Sequence, residues 1–266
     1  MKPAVDSVKT EPKSDAAKKK EKATVTILSM AGDTLRRFKI ELDTGFSHIT
    51  WYMDTKGVRF PSNTEPDKDQ LEPGGGPRVE PGSYRVHVNY RTYRDSVTVR
   101  VLEDARLRIT AADRQAKTAA IRDLHQTLDQ VQRAYARLRE AEKTRKMVED
   151  QFANVPDSTK KEALQLGSTL RDSINLLKDR FFQQKEPKGI QRDPNNLNAR
   201  FYQALGYINS GTGAPNPTAQ LAVRQAKTES ERLVQRINAL FDQPWRDYRR
   251  KVEGIQYSLF KDFDQL

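Results

Sequence analysis

Cysteine is absent from this 266-residue chain. That excludes disulfides, thiolate nucleophiles and cysteine-ligated zinc or iron–sulfur centres. Histidine is scarce: His48, His87 and His125 are the only three, too scattered for a His-rich metal site. No stretch of about 18 consecutive apolar residues occurs, so nothing reads as a membrane-spanning helix. The first 22 residues hold no apolar run, so no secretory signal is expected in them.

What the chain has in quantity is charge. Charged residues make up 31% of it against 36% hydrophobic, with a net charge of +11. Residues 1–22 hold 7 Lys/Arg and 4 Asp/Glu, residues 23–109 hold 13 and 12, and residues 110–266 hold 27 and 20. The basic clusters Lys18-Lys19-Lys20 and Arg249-Arg250-Lys251 lack the aromatic or glycine-rich flanks of a single-strand or RNA platform. Mixed-sign charge of this kind reads as the solvated face of long helices. Nucleic acid is therefore not the expected partner, and polyanion binding through helical Lys and Arg stays open as an alternative.

Three segments follow from composition and period. Residues 1–22, almost without large apolar side chains, read as a disordered basic linker or tail. Residues 23–109 have period two: Val25 and Ile27, then Leu35–Leu42 with Phe38 and Ile40, Phe46–Met53 with Trp51, Tyr84–Tyr90, and Ser96–Leu102 with Val97, Val99 and Val101. Between them, residues 54–82 are rich in Pro, Gly, Asp and Asn, and read as a long loop. Five short strands in under ninety residues predict a small immunoglobulin-like antiparallel β-sandwich.

From residue 110 the period becomes helical. Thr110 and Asp113 form a capping signal, and Ile121, Leu124, Leu128, Val131, Tyr135 and Leu138 make a heptad seam that reaches Phe152 after a phase shift at Met147 and Val148. A second helix, with Thr159 and Glu162 as its capping box, carries Leu166, Leu170, Ile174, Leu177 and Phe181 and stops near Lys185–Gly189. A short helix spans about Leu197 to Ile208. A fourth, capped by Asn216 with Pro217 at its first position, carries Val223, Leu233 and Ile237, and Pro244 breaks it before a rhythm that runs to Leu259. Residues 110–266 thus predict an antiparallel bundle of three long helices plus shorter ones. The fold class expected is α+β, with sheet and helices in two segregated domains.

Reactive chemistry is hard to assemble from these residues. No nucleophile elbow accompanies the histidines, and Gly74-Gly75-Gly76 precedes Pro77 and a strand where a phosphate loop needs a helix N-terminus. Asp67, Asp69 and Glu72 do not have calcium-loop spacing. No catalytic residue, cofactor or metal site is expected, and the chain is read as not an enzyme. Trp245, Tyr248, Arg249 and Arg250 near the kink are the candidate partner contacts, with core packing the alternative for the two aromatics.

Three blocks carry a resemblance: Gly45-Phe46-Ser47-His48-Ile49-Thr50-Trp51, then Gly57-Val58-Arg59-Phe60-Pro61, then Glu80-Pro81-Gly82-Ser83-Tyr84-Arg85-Val86. With the Thr110–Asp113 entry into long helices, Asn195-Asn196-Leu197-Asn198 and Pro217-Thr218, their order resembles the C-terminal region of bacterial sortilin-like β-propeller proteins, often labelled glycosyl-hydrolase-like or sialidase-like. The likeness runs from about residue 23 to 266. It implies a fragment or remnant of a larger exported protein, periplasmic or extracellular, whose propeller is not in this sequence and to whose reacting surface no residue here corresponds. The function expected is a non-catalytic accessory or scaffold module that binds a protein partner or the missing propeller. A supporting domain of a glycosyl-hydrolase-like enzyme is the further alternative.

Overall fold

In a computed structural model of the chain, residues 20–67, 70–152, 156–182 and 196–255 are described. The chain is an α+β protein in which four strands precede five helices. The strands β1 (Lys22–Ser29), β2 (Thr34–Glu41), β3 (Gly82–Tyr90) and β4 (Tyr93–Val101) form one antiparallel sheet in the order β2-β1-β3-β4. Val25 stands opposite Phe38 on one side and Val88 on the other, and Val86 opposite Val97, so the alternating aliphatics share one face. On the central strand Ala23, Val25 and Ile27 of that face are buried, while Lys22, Thr24 and Thr26 of the opposite face are half-exposed.

The two-sheet sandwich is corrected to this single sheet among the described residues. Its missing strand is the segment Phe46–Met53, which is not in the sheet. Instead the stretch from 43 to 81 forms a strap over the apolar face. Its one ladder contact is an isolated bridge between Asp54 and Arg78. Met53 turns the chain with φ 56°, and the Lys56 N–H donates to the Leu35 carbonyl (2.9 Å) on the outer side of β2. β-forming side chains were not enough, because the strap meets β2 through that bond rather than through a continuous ladder.

Helix α1 (Ala111–Gln151) has 41 residues, about 60 Å at 1.5 Å per residue. The others are α2 (Asp157–Lys178), α3 (Leu197–Ser210), α4 (Pro217–Asp242) and α5 (Pro244–Glu253). Their path follows from the contacts. Phe152 packs with Ala163 and Ile255 at one end of the rod, and Tyr135 meets Phe181 midway. The Leu197 and Asn198 N–H groups donate to the Arg180 and Phe181 carbonyls (2.9 Å each), and Lys117 Nζ reaches the Gly211 carbonyl (2.8 Å). Asp123 pairs with Lys227 at 2.7 Å. Thus α1 runs up, α2 and α3 share the descending leg, and α4 with α5 form the second ascending leg. Three legs bury one continuous core, with Leu124, Leu128, Leu138, Ile174, Phe201 and Ile237 sealed inside it.

The helix starts are mostly those predicted. Thr110 accepts from the Asp113 N–H (3.1 Å) and Asp113 accepts from the Thr110 N–H (3.1 Å), a complete capping box; Asn216 accepts from Ala219 N–H (2.8 Å) with Pro217 following. The box at Thr159 and Glu162 is not formed, because α2 begins two residues earlier, with Pro156 at its cap and no side-chain bond there. On α1 the seam continues in phase through Ala141 and Arg145 to Phe152, and Met147, taken as part of it, is exposed. The tail before residue 20, the stop near 185–189 and the rhythm to Leu259 lie outside the described residues.

Phe201→Ala is expected to lower stability by about 3–5 kcal/mol, the cost of emptying a large, fully buried site. Urea unfolding followed by circular dichroism measures it, and a loss under about 1 kcal/mol contradicts the packing described.

Candidate interaction surface

The strap positions everything the sheet presents. At its sheet end, Asp54 is buried in an ion pair with Arg36 of β2, and its other oxygen accepts from the Gly75 N–H at 2.9 Å. Trp51 Nε1–H donates to the Asp54 carbonyl (2.9 Å), and the indole meets the Tyr84 ring edge-on at 5.7 Å. Such a pair, cut from water, holds only because both charges find further partners or remain locked in place. Arg36 Nε is the exception, buried with no acceptor among the described residues. The glycine run serves this latch. A side chain at Gly74 would strike the Arg36 guanidinium, and one at Gly57 would strike the Gly74 carbonyl. Only backbone of this kind lets the 54–57 and 73–77 stretches close, with Thr55 N–H donating to Pro77 and Gly57 N–H to Pro73, both at 2.9 Å.

At its other end the strap is seated on the helices. Phe60 stacks on Tyr202 at 4.2 Å and lies edge-on to Phe201 at 6.4 Å. Asn198 donates to the Pro61 carbonyl (3.0 Å), Tyr135 OH bonds Asn63 Oδ1 (2.5 Å), and Arg139 pairs with Glu65 (2.6 Å). Arg114 near the start of α1 holds Glu80 at 3.0 Å and also pairs with Glu103, so both exits of the sheet are tied to the rod.

The predicted contact residues separate. Tyr248 is buried, with its ring against Gly167, which removes it as an exposed anchor and gives it the core role. Burial pushes its phenol above the ordinary value of 10.0, against the pull of nearby Arg145. Trp245 is half-buried between Phe241 and Tyr248. Arg249 and Arg250 are exposed and pair within α5, with Glu253 (2.6 Å) and Asp247 (3.8 Å). His87 is on β3, His48 on the strap and His125 inside the rod, so the three do not meet. Glu72 accepts from the Arg37 N–H (2.7 Å), a structural bond, and Asp69 lies outside the described residues.

A cleft of about 680 Å³ between the end of α2, α3 and α4 is lined by Arg180, Arg200, Arg232 and Arg236 with Asp179 and Glu229, and among the described residues no histidine or hydroxyl side chain lines it. Among the described residues no group of three or more His, Asp or Glu side chains is placed to hold a metal ion. Comparison of the chain with protein families, curated proteins and solved structures finds no match.

What remains open is the far side of the sheet. Strand β4 has no neighbour on its outer edge among the described residues. On the same strand Tyr93 is 74% and Val97 56% exposed, and Leu102 just beyond it is 70% exposed. The alternation of Val97, Val99 and Val101 was legible in the sequence. That β4 forms the edge was not, since strand order depends on long-range pairing that local alternation does not encode.

Gly57→Ala, whose added carbon would strike the Gly74 backbone, is expected to unlatch the strap. Limited proteolysis should then cut within residues 54–60 and 73–79 faster than in wild type, and equal rates for both proteins would contradict the latch. His125 supplies a pH test. Burial lowers its imidazole below the usual 6.5, so the unfolded chain takes up the proton first. Its contribution is intact above pH about 6.5 and is lost as pH falls below that value. Thermal melts of His125→Gln and wild type should therefore keep a constant separation above pH 7, and wild type should lose stability relative to the variant between about pH 6.5 and 5.

Proposed function

We propose that this chain is a non-catalytic interaction module in which a rigid helical rod presents a four-stranded sheet to a protein partner. The observation that supports it is the open edge of β4 with Tyr93 and Val97 exposed beside it. A nine-residue edge whose outward backbone groups have no strand partner among the described residues is a template for an added strand, and natural proteins usually blunt such edges. The apolar side chains next to it supply the contact area that main-chain bonds alone lack.

The proposed setting is the C-terminal part of a larger exported sortilin-like β-propeller protein, on the strength of the residue blocks given above. The partner is then the propeller, and the module caps or spaces it. Chemistry, where the whole protein has any, belongs to that other part.

A sortilin-like propeller supplied in trans provides the experiment. Binding followed by calorimetry is expected for the wild-type chain and is expected to weaken at least about tenfold with Val97→Lys, which puts a charge on the docking edge. Helicity by circular dichroism should be unchanged. Absence of binding, or binding indifferent to Val97→Lys, defeats the proposal.

A further inference from the structure

The strand register sorts the charge of the sheet in a way that counting along the chain conceals. Residues 23–109 carry 13 basic and 12 acidic side chains, close to neutral. Folding separates them. On the face opposite the strap, the cross-strand rows read Lys39–Thr24–Asn89–Arg94, Arg37–Thr26–His87–Ser96, Leu28–Arg85–Thr98 and Ser83–Arg100, with Glu41–Lys22 at one corner. Six cations, Lys22, Arg37, Lys39, Arg85, Arg94 and Arg100, share this face with one carboxylate, Glu41, which lies 3.7 Å from Lys22. None of these face residues is buried. Arg85, Arg94 and Arg100 have no carboxylate partner among the described residues. Of the other described acids of the region, Asp95 is on β4 opposite Val88, Asp67 and Glu72 line the cleft beside Lys22 and Lys39 at the β2 edge, and Asp54, Glu65, Glu80 and Glu103 pair with arginines.

We infer that this face docks the backbone of a double-stranded nucleic acid. Four of the six cations stand in two flanks, with Lys22 on β1 and Arg85 on β3 between them. Arg37 and Lys39 are on β2, and Arg94 and Arg100 on β4, three strand spacings or about 14 Å apart. That separation is comparable with the roughly 12 Å width of a duplex major groove, whose two phosphate rows a pair of flanks can meet. Between the flanks the floor is Thr24, Thr26, His87 and Asn89, short polar side chains suited to phosphate oxygens. No Phe, Tyr or Trp stands on the face and its one aromatic ring is His87, which is too little for a stacking platform for successive unpaired bases. Leu28 is its only large apolar residue, which leaves nothing to insert into a bilayer. The recognition is by charge and shape, without a sequence code. It is independent of the β4 edge and of the proposed partner there.

The test uses the full chain and a fluorescent duplex of about 20 base pairs, followed by anisotropy across a salt series. The triple variant Arg85→Gln, Arg94→Gln, Arg100→Gln is expected to bind at least about tenfold more weakly at low salt. Its log–log salt slope should be shallower by about 3. A triple variant with the same charge change at exposed helical sites, Arg122→Gln, Arg137→Gln and Arg224→Gln, should bind like wild type. Equal loss in both triples would reduce the effect to bulk charge and overturn the inference. So would preference for a single strand, for heparin or for phosphatidylserine vesicles over the duplex, or no duplex binding at low salt. Circular dichroism and thermal melting of each triple establish that the fold is intact.

Discussion

One helix of 41 residues sets the terms for the rest of the molecule. Its buried stripe runs from Ile121 to Phe152, and an exposed stripe of that length is not stable in water. Among the described residues no other helix is long enough to cover it alone. The chain covers it with two composite legs, 22 and 14 residues in one and 26 and 10 in the other. The joins fall where backbone bonds can be made good: Leu197 and Asn198 donate back to Arg180 and Phe181, and Pro244, which has no N–H to lose, opens α5.

The sheet depends on the rod through the strap. A single four-stranded sheet has one apolar face to cover, and no second sheet does it here. Residues 43–81 lie across it, held by the Arg36–Asp54 latch at one end and by Phe60 against Phe201 and Tyr202 at the other. The cover is incomplete toward β4, which leaves the outer edge open, while the polar face lies on the other side of the sheet, away from the strap.

The helical half could be read from the sequence because helix period, caps and prolines are local. Thr110 with Asp113 and Asn216 with Pro217 act within one turn and are found where expected. Arg145 escaped because a guanidinium at a seam position breaks the apolar pattern; it is buried there, paired to Glu149 at 2.8 Å, while its stem fills the seam. The sheet half was legible as strands but not as an arrangement. Phe46–Met53 has strand composition, yet its fate depends on Asp54 finding Arg36, eighteen residues away, and on glycines whose role is to let two backbones touch. The charged face was hidden for a related reason. Charge totals are indifferent to register, and register decides which side of a pleat a side chain joins.

The anchoring of Phe60 and Pro61 among helical residues bears on how such a protein can be inherited. A recombination break at Thr110, where composition changes most sharply, would leave an empty aromatic socket on the helical piece and an unanswered amide at Asn198. Neither half would be whole. Shuffling is therefore expected to carry strands, crossing segment and rod together, and the natural unit of exchange is the entire stretch from the first strand to the last helix.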